Sequence, residues 1–155
     1  MLLGQGGINA GDDYTGEKLM EKKIDRRIEG RLRVRKREDR SFPFTLQFLP
    51  YSGPGGAWPE KKFPSEKSLF VFLKNPPLNL NLNDWIHIQG NTGRMGDFRI
   101  VSSHHFEIYY EGENHQNIDS IGFWNLMEND FYIPSLAIPI DWGKATDLLP
   151  DSFSL

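Results

Sequence analysis

The strongest constraint on the fold is the run RLRVRKR at residues 31–37, in which apolar and basic side chains alternate. Leu32 and Val34 fall on one side of an extended strand, and the other side carries a basic residue at every second position, namely Arg31, Arg33, Arg35 and Arg37. A helix would scatter the same side chains around its axis. The run therefore predicts a β-strand with one face in a core and one basic face.

Further runs with a period of two predict a mainly β domain of five strands. They are FTLQFL at 44–49, SLFVFLK at 68–74, DWIHIQG at 84–90, and DFRIV at 97–101, which FEIYY at 106–110 continues after a bend. The last two strands form a predicted hairpin around the loop GNTGRMGD, with Ile86 and Ile88 inward and Trp85 and His87 outward. The third run is apolar on both faces, and its outward face holds Phe70, Phe72 and Lys74.

The two ends of the chain differ from this middle part. The segment TGEKLMEKKIDRRIEG predicts a helix, because Thr15 can cap it, Gly30 can end it, and apolar residues recur every four positions. Beyond Gly112 the sequence is irregular and acidic. We therefore predict an N-terminal arm with a short helix at residues 1–27, a β-barrel domain at 28–112, and an acidic C-terminal extension at 113–155.

The order of the strands resembles the oligonucleotide/oligosaccharide-binding fold, or OB-fold. The resemblance lies in IEGRLRV as a first strand, FTLQFL and LFVFLK as the second and third, and LNDWIHIQG followed by GDFRIVSS where the fourth and fifth strands meet. It implies a small five-stranded barrel and the binding of single-stranded nucleic acid. The chain departs from the family pattern at Asn83, where a glycine is usual, and in NPPLNLNLN, which replaces the helix between the third and fourth strands.

Charge is sorted along the chain although the net charge is only −3. Residues 18–40 contain eleven basic and five acidic residues, whereas residues 104–155 contain one basic and nine acidic residues. Such sorting indicates either a polyanionic partner for the basic part or pairing between the two ends. The acidic end at residues 145–155, which finishes in DLLPDSFSL, is a candidate contact for a protein partner, and residues 118–142 are expected to pack on the barrel.

On three predicted strands, basic and aromatic side chains point to the same side. This arrangement predicts a surface for single-stranded nucleic acid. The candidate residues are Arg31, Arg33, Arg35, Arg37, Phe70, Phe72, Lys74, Trp85, His87, Arg94 and Arg99. Arg94 stands at the tip of the glycine-containing loop, where it could meet a phosphate or stack on a base. The alternative for the arginines is a charged edge strand that resists aggregation, and the alternative for Arg94 is a solvated loop.

Neither catalysis nor a cofactor is indicated by the sequence. It contains no Gly-x-Ser-x-Gly or His-Glu-x-x-His motif, and no cysteine. The metal candidates are His104, His105 and His115 with Glu107 and Glu111, but adjacent histidines on a strand point to opposite faces, so no metal site is expected. With no apolar stretch long enough to span a membrane, a cytoplasmic location is expected.

Two functions follow as hypotheses. The first is a non-enzymatic protein that binds single-stranded DNA or RNA through its arginines and outward aromatic residues. The second is an interaction or assembly module whose aromatic face contacts another chain, including a second copy in which the acidic third meets the basic third. Carbohydrate binding by the aromatic face is a weaker third possibility, because it would not require the arginines.

Overall fold

The computed structural model describes residues 26–52, 58–102, 105–110 and 115–143. The predicted N-terminal arm, the body of the predicted helix after it and the predicted contact segment at 145–155 lie outside these residues. The predicted end of that helix is wrong, because Arg27–Gly30 belong to the first strand, which begins at Arg27.

The described residues form eight strands and two α-helices, and a short 3-10 turn at Ile140–Gly143 follows the last strand. The elements are β1 (Arg27–Lys36), β2 (Phe44–Pro50), β3 (Lys61–Phe63), α1 (Glu66–Lys74), β4 (Ile86–Gly90), β5 (Met95–Ser102), β6 (His105–Tyr110), β7 (Gln116–Asp119), α2 (Ser120–Leu126) and β8 (Asp130–Pro139).

All eight strands belong to one antiparallel sheet with the order β3-β2-β1-β8-β4-β5-β6-β7. The mainly β prediction is confirmed, and β1, β2, β4 and β5 lie where the alternating runs placed strands. The five-stranded barrel is wrong, because the sheet is open, with β3 and β7 at its two edges.

The third predicted strand is helix α1. Ser65 caps it: its Oγ accepts a hydrogen bond from the backbone N–H of Ser68, whose hydroxyl oxygen accepts one from the backbone N–H of Ser65. Leu69, Phe72 and Leu73 are buried, at the i, i+3 and i+4 spacing of one helical face. The helix therefore buries these apolar residues on a single face. A strand would have had two apolar faces, and one of them would have had no layer to cover it.

The predicted irregular extension is also wrong over its described part. Residues 116–139 form β7, α2 and β8, and β8 lies in the middle of the sheet between β1 and β4. Its pairing with β1 runs from Arg27 opposite Pro139 to Arg35 opposite Asp130. The sheet therefore joins residues about one hundred positions apart, and the stretch after 112 is an integral part of it.

Both helices pack on the same face of the sheet. Phe123 of α2 stacks on Phe106 with ring centroids 4.6 Å apart and lies 5.1 Å from Phe98, while Trp124 lies 5.4 Å from Phe44. Phe70 of α1 meets the edge of the same Phe106 ring at 5.9 Å. These aromatic contacts make one continuous core between the helices and the sheet.

The two helices are also joined by one carboxylate. Oε2 of Glu66, in the first turn of α1, accepts hydrogen bonds from Nε1 of Trp124 at 2.7 Å and from Oγ of Ser120 at 2.6 Å. The Trp124 side chain is fully buried, so this bond satisfies its indole N–H inside the core. The position of α2 is thereby fixed relative to α1 as well as to the sheet.

Candidate functional site: the open face of the sheet

The two described helices leave the other face of the sheet uncovered, and we call it the open face. Side chains alternate across the sheet, so residues that neighbour the buried Leu32, Val34 and Phe98 in sequence point to the open face. Two groups of side chains lie there. We call them the arginine patch, on β1, β8 and the adjoining strands, and the tryptophan patch, on β4, β5 and β6.

The arginine patch is built by the central strand pair. The guanidinium of Arg31 lies over the Tyr132 ring at 4.3 Å, and that of Arg33 lies 5.7 Å from the same ring. Arg33 also makes two hydrogen bonds to Asp130, Nε to Oδ1 at 3.1 Å and Nη2 to Oδ2 at 2.7 Å. Nε of Arg35 lies 3.9 Å from Oδ2 of Asp130. One carboxylate is thus shared by two arginines, and one tyrosine ring by two guanidinium groups.

Asp130 is only 8% exposed, so its charge is held in a poorly hydrated position by these arginines. Its hydrogen bond raises the pKa of Arg33 above the ordinary arginine value, against the opposing effect of burial. Further out, Nη2 of Arg37 contacts Oε2 of Glu60 at 2.8 Å. The patch as a whole carries six basic residues and three carboxylates, a local net charge of +3, from Arg27, Arg31, Arg33, Arg35, Arg37 and Lys62 with Glu29, Asp130 and Glu60.

The tryptophan patch lies on β4, β5 and β6 and includes residues that directly precede β4 and β7. Trp85 precedes β4 and is 39% exposed, and Tyr109 on β6 is 49% exposed, with their ring centroids 5.2 Å apart. The guanidinium of Arg99 lies 5.0 Å from the Trp85 ring, and its Nε donates to Oε1 of Glu107 at 2.8 Å. His115 completes the group, 5.0 Å from the Tyr109 ring.

Charges in the tryptophan patch are largely paired. The hydrogen bond from Arg99 lowers the pKa of Glu107, and His115, with Nε2 at 3.6 Å from Oε1 of Glu107, lowers it further. On the neighbouring row, Nδ1 of His87 lies 3.2 Å from Oδ1 of Asp97. This patch therefore presents exposed rings among paired charges, whereas the arginine patch presents surplus positive charge.

Seven of the eleven predicted binding residues lie on the open face. They are Arg31, Arg33, Arg35, Arg37, Trp85, His87 and Arg99. For these residues, the strand face predicted from the alternation in the sequence agrees with the structure.

The other four predicted residues do not share that face, and the strand predicted for three of them, Phe70, Phe72 and Lys74, is wrong. Phe72 is buried in the core, and Phe70 and Lys74 belong to α1 on the covered side of the sheet. The guanidinium of Arg94 lies 4.6 Å from the ring of Tyr110, a core residue that points away from the open face. The reason is the same for the first three: a helix, with 3.6 residues per turn, replaces the strand that would have aligned them with Trp85.

Sequence reasoning missed Asp130 and Tyr132 in the arginine patch, and Tyr109 and Glu107 in the tryptophan patch. The signal for the first pair was present, because in DFYI the residues Asp130 and Tyr132 alternate with the buried Phe131 and Ile133. What the sequence did not supply was the strand order that places this run beside the arginine strand.

Within the described residues, no three histidine, aspartate or glutamate side chains come close enough to hold a metal ion. Of the metal candidates, His105, His115 and Glu107 are described, and only His115 and Glu107 are in contact. None of the described helices is both long and apolar enough to cross a membrane. No protein-family model, curated protein or solved structure matches this chain.

Proposed function

We propose that the open face binds single-stranded nucleic acid, with phosphates at the arginine patch and bases stacked on the tryptophan patch. The observation that carries the proposal is the presence of surplus positive charge and exposed aromatic rings on the one sheet face that the described helices leave uncovered. Single-stranded nucleic acid is bound by this combination, because phosphates need cations and every base offers a ring face for stacking. The proposal requires no cofactor and no chemical step.

The charge balance supports phosphate binding at the arginine patch in particular. The patch has a net charge of +3 in a chain whose net charge is −3, so the positive potential is local. Among the described residues no carboxylate lies within 4.0 Å of Arg31, whose guanidinium is held flat on the Tyr132 ring. A guanidinium stacked in this way keeps its N–H groups available at the ring's edge for a phosphate.

The spacing of the two patches supports a linear ligand. From β1 to β5 the sheet order passes through β8 and β4, which is three strand steps, or about 14 Å. A bound strand of a few nucleotides is long enough to reach from one patch to the other, within the site sizes known for single-strand binding surfaces, about 4 to 16 nucleotides.

The first test compares a variant that lacks two arginines of the open face with a variant that lacks two lysines of the covered side. We expect R31Q/R35Q to weaken the binding of a labelled single-stranded oligonucleotide and to reduce the slope of log affinity against log salt by about 1.4. K67Q/K74Q removes the same charge from α1 and should leave both quantities unchanged. Fluorescence anisotropy over a salt series measures both, and equal effects of the two double variants would contradict the proposal.

The second test separates stacking from charge. W85A should weaken oligonucleotide binding about fivefold or more without changing the salt slope, because base stacking is not an ion-exchange process. Conversely, D130N raises the net charge of the arginine patch by one and should tighten binding and steepen the slope. Failure of the unmodified protein to bind any oligonucleotide at low salt ends the proposal.

A protein partner is the second candidate, and the paired charges of the tryptophan patch favour it. Exposed Trp, Tyr and Arg side chains are the residues that carry binding energy in protein interfaces, and the Glu107 and Asp97 carboxylates would repel phosphates. Light scattering at low and high salt tests the case of a second copy. Self-association without nucleic acid that W85A abolishes would support this candidate over the first.

A further inference from the structure

A cavity of about 380 Å³ lies on the covered side of the sheet, between α1 and strands β5 and β6. Its apolar wall is formed by Phe70, Val71, Leu82, Ile100 and Phe106. The volume falls within the range of about 300 to 1,000 Å³ that is usual for small-molecule sites. The cavity is open to solvent and shares no residue with either patch of the open face, so it is a separate feature of the molecule.

Helix α1 supplies the cavity with one stripe of side chains. Lys67, Phe70, Val71 and Lys74 stand at the i, i+3, i+4 and i+7 positions of the helix, which align along one face. The two lysines are therefore at opposite ends of the stripe, about 10 Å apart along the helix axis. Both lysines are exposed, so their ammonium groups border the opening while the rings of Phe70 and Phe106 form its wall.

The charge at the opening is positive and unbalanced. Within the described part of the chain, neither Lys67 nor Lys74 has a carboxylate oxygen within 4.0 Å. Glu66 also borders the cavity, but its Oε2 accepts hydrogen bonds from Ser120 and Trp124 of the neighbouring helix. Asn83 donates to the backbone oxygen of Ile100 at the opposite rim.

We propose that this cavity binds an amphipathic organic anion, a molecule with an apolar alkyl or aromatic body and one terminal carboxylate. The apolar body lies against Phe70, Leu82 and Phe106, and the carboxylate lies at the rim beside Lys67 or Lys74. The apolar wall supplies the burial, and the unbalanced lysines select an anion over a neutral molecule of the same shape. This proposal is independent of nucleic acid binding, because it concerns the other side of the sheet.

The charge requirement is tested with decanoate and decanol, which share an alkyl body and differ in the terminal group. Isothermal titration below the micelle concentration of decanoate should show saturable binding of decanoate to the full chain. K67Q/K74Q should weaken decanoate binding about tenfold and leave decanol binding unchanged, whereas R31Q/R35Q should change neither. The absence of saturable binding, or equal losses for decanoate and decanol in K67Q/K74Q, overturns the proposal.

The location is tested by filling the cavity from the helix side. V71F places a ring in the space without altering the buried positions of α1, and it should abolish binding of both ligands while the urea midpoint and the far-ultraviolet circular dichroism stay unchanged. If V71F lowers the midpoint, K67Q/K74Q still decides the proposal. Unchanged ligand binding to a folded V71F protein overturns the proposal. So does light scattering that shows a dimer without ligand which V71F dissociates, because a second copy of the chain would then cover the cavity.

Discussion

The covered and open faces of the sheet use alternate residues of the same strands and differ in almost every physical property. On β5, Phe98 is fully buried against the rings of Phe106 and Phe123, while Arg99, the next residue, lies in the open-face ion pairs. The covered face is joined by close apolar contacts over long sequence distances, and the open face by hydrogen-bonded charges. Adjacent residues of one strand thus belong either to the buried core or to the exposed charged and aromatic groups of the open face.

This difference shows which side chains stabilise the fold and which can be changed at small cost in stability. Apolar burial contributes about 25 cal/mol per Å², and the covered-face rings of Phe98, Phe106, Phe123 and Trp124 are fully removed from water. Exposed ion pairs contribute about 1 kcal/mol or less, because water already solvates their charges. The open face can therefore change its side chains at small cost in stability, with Asp130 as the main exception, since its carboxylate is buried and holds two arginines.

The largest expected effect is the loss of a ring from the covered face. W124A should lower the free energy of unfolding by about 3 to 5 kcal/mol, because it opens a cavity among the core rings and removes the hydrogen bond to Glu66. Y109A, the loss of an exposed ring from the open face, should cost less than about 1 kcal/mol. Urea denaturation measures both, and equal costs would remove the contrast between the faces.

A smaller effect is expected where the covered face leaves no room for a side chain. A Cβ on Gly90 would overlap the Tyr110 hydroxyl, so G90A should cost about 1 to 3 kcal/mol. In a Y110F background the hydroxyl is absent, and the same substitution should cost distinctly less. A double-mutant cycle by urea denaturation tests this coupling. Identical costs of G90A in both backgrounds would show that the hydroxyl is not the obstacle.

The smallest effect, and one that depends on pH, is expected from the open-face carboxylate Glu107. Its pKa lies below its ordinary value of 4.5, chiefly because of the hydrogen bond from Arg99. A depressed pKa means that the ionised carboxylate stabilises the fold above the unfolded-state value, and that this stabilisation is lost as the pH falls through the folded-state value.

E107Q removes that contribution, so the urea midpoints of the two proteins should differ at neutral pH and converge as the pH falls below about 4.5. E128Q serves as a control, because Glu128 is exposed and lies in the turn between α2 and β8. A difference between E107Q and the unmodified protein that persists unchanged to low pH would show that the Arg99 pair is not its origin.

Local patterns predicted the strands with clean alternation and failed where two patterns competed. In RLRVRKR the two faces differ sharply, so β1 was predicted correctly, and the hairpin of β4 and β5 was predicted with Ile88 inward and His87 outward. In SEKSLFVFLK the apolar residues suit a strand and a helix alike, and the capping bonds between Ser65 and Ser68 decide for the helix. Those bonds were visible in the sequence only as an ordinary serine spacing.

The candidate binding surface was predicted in part for the same reason. The sequence shows which side chains of a strand lie on the same face, so Arg31, Arg33 and Arg35 were placed together, as were Trp85 and His87. The contribution of Phe70, Phe72 and Lys74 depended on a strand that does not form. Arg94 was assigned by its place in a loop, and the direction of a loop side chain is set by packing, in this case on the Tyr110 ring.

By itself the sequence determined which side chains share a face of each strand, because alternation is a property of the extended backbone. Only the tertiary structure decided which strands are neighbours. The pairing of β1 with β8 brings Asp130 and Tyr132 to Arg33 across about one hundred residues of chain, and no local pattern encodes that choice. In the structure this strand order places both helices on one side of a single sheet, where their aromatic rings pack into one core.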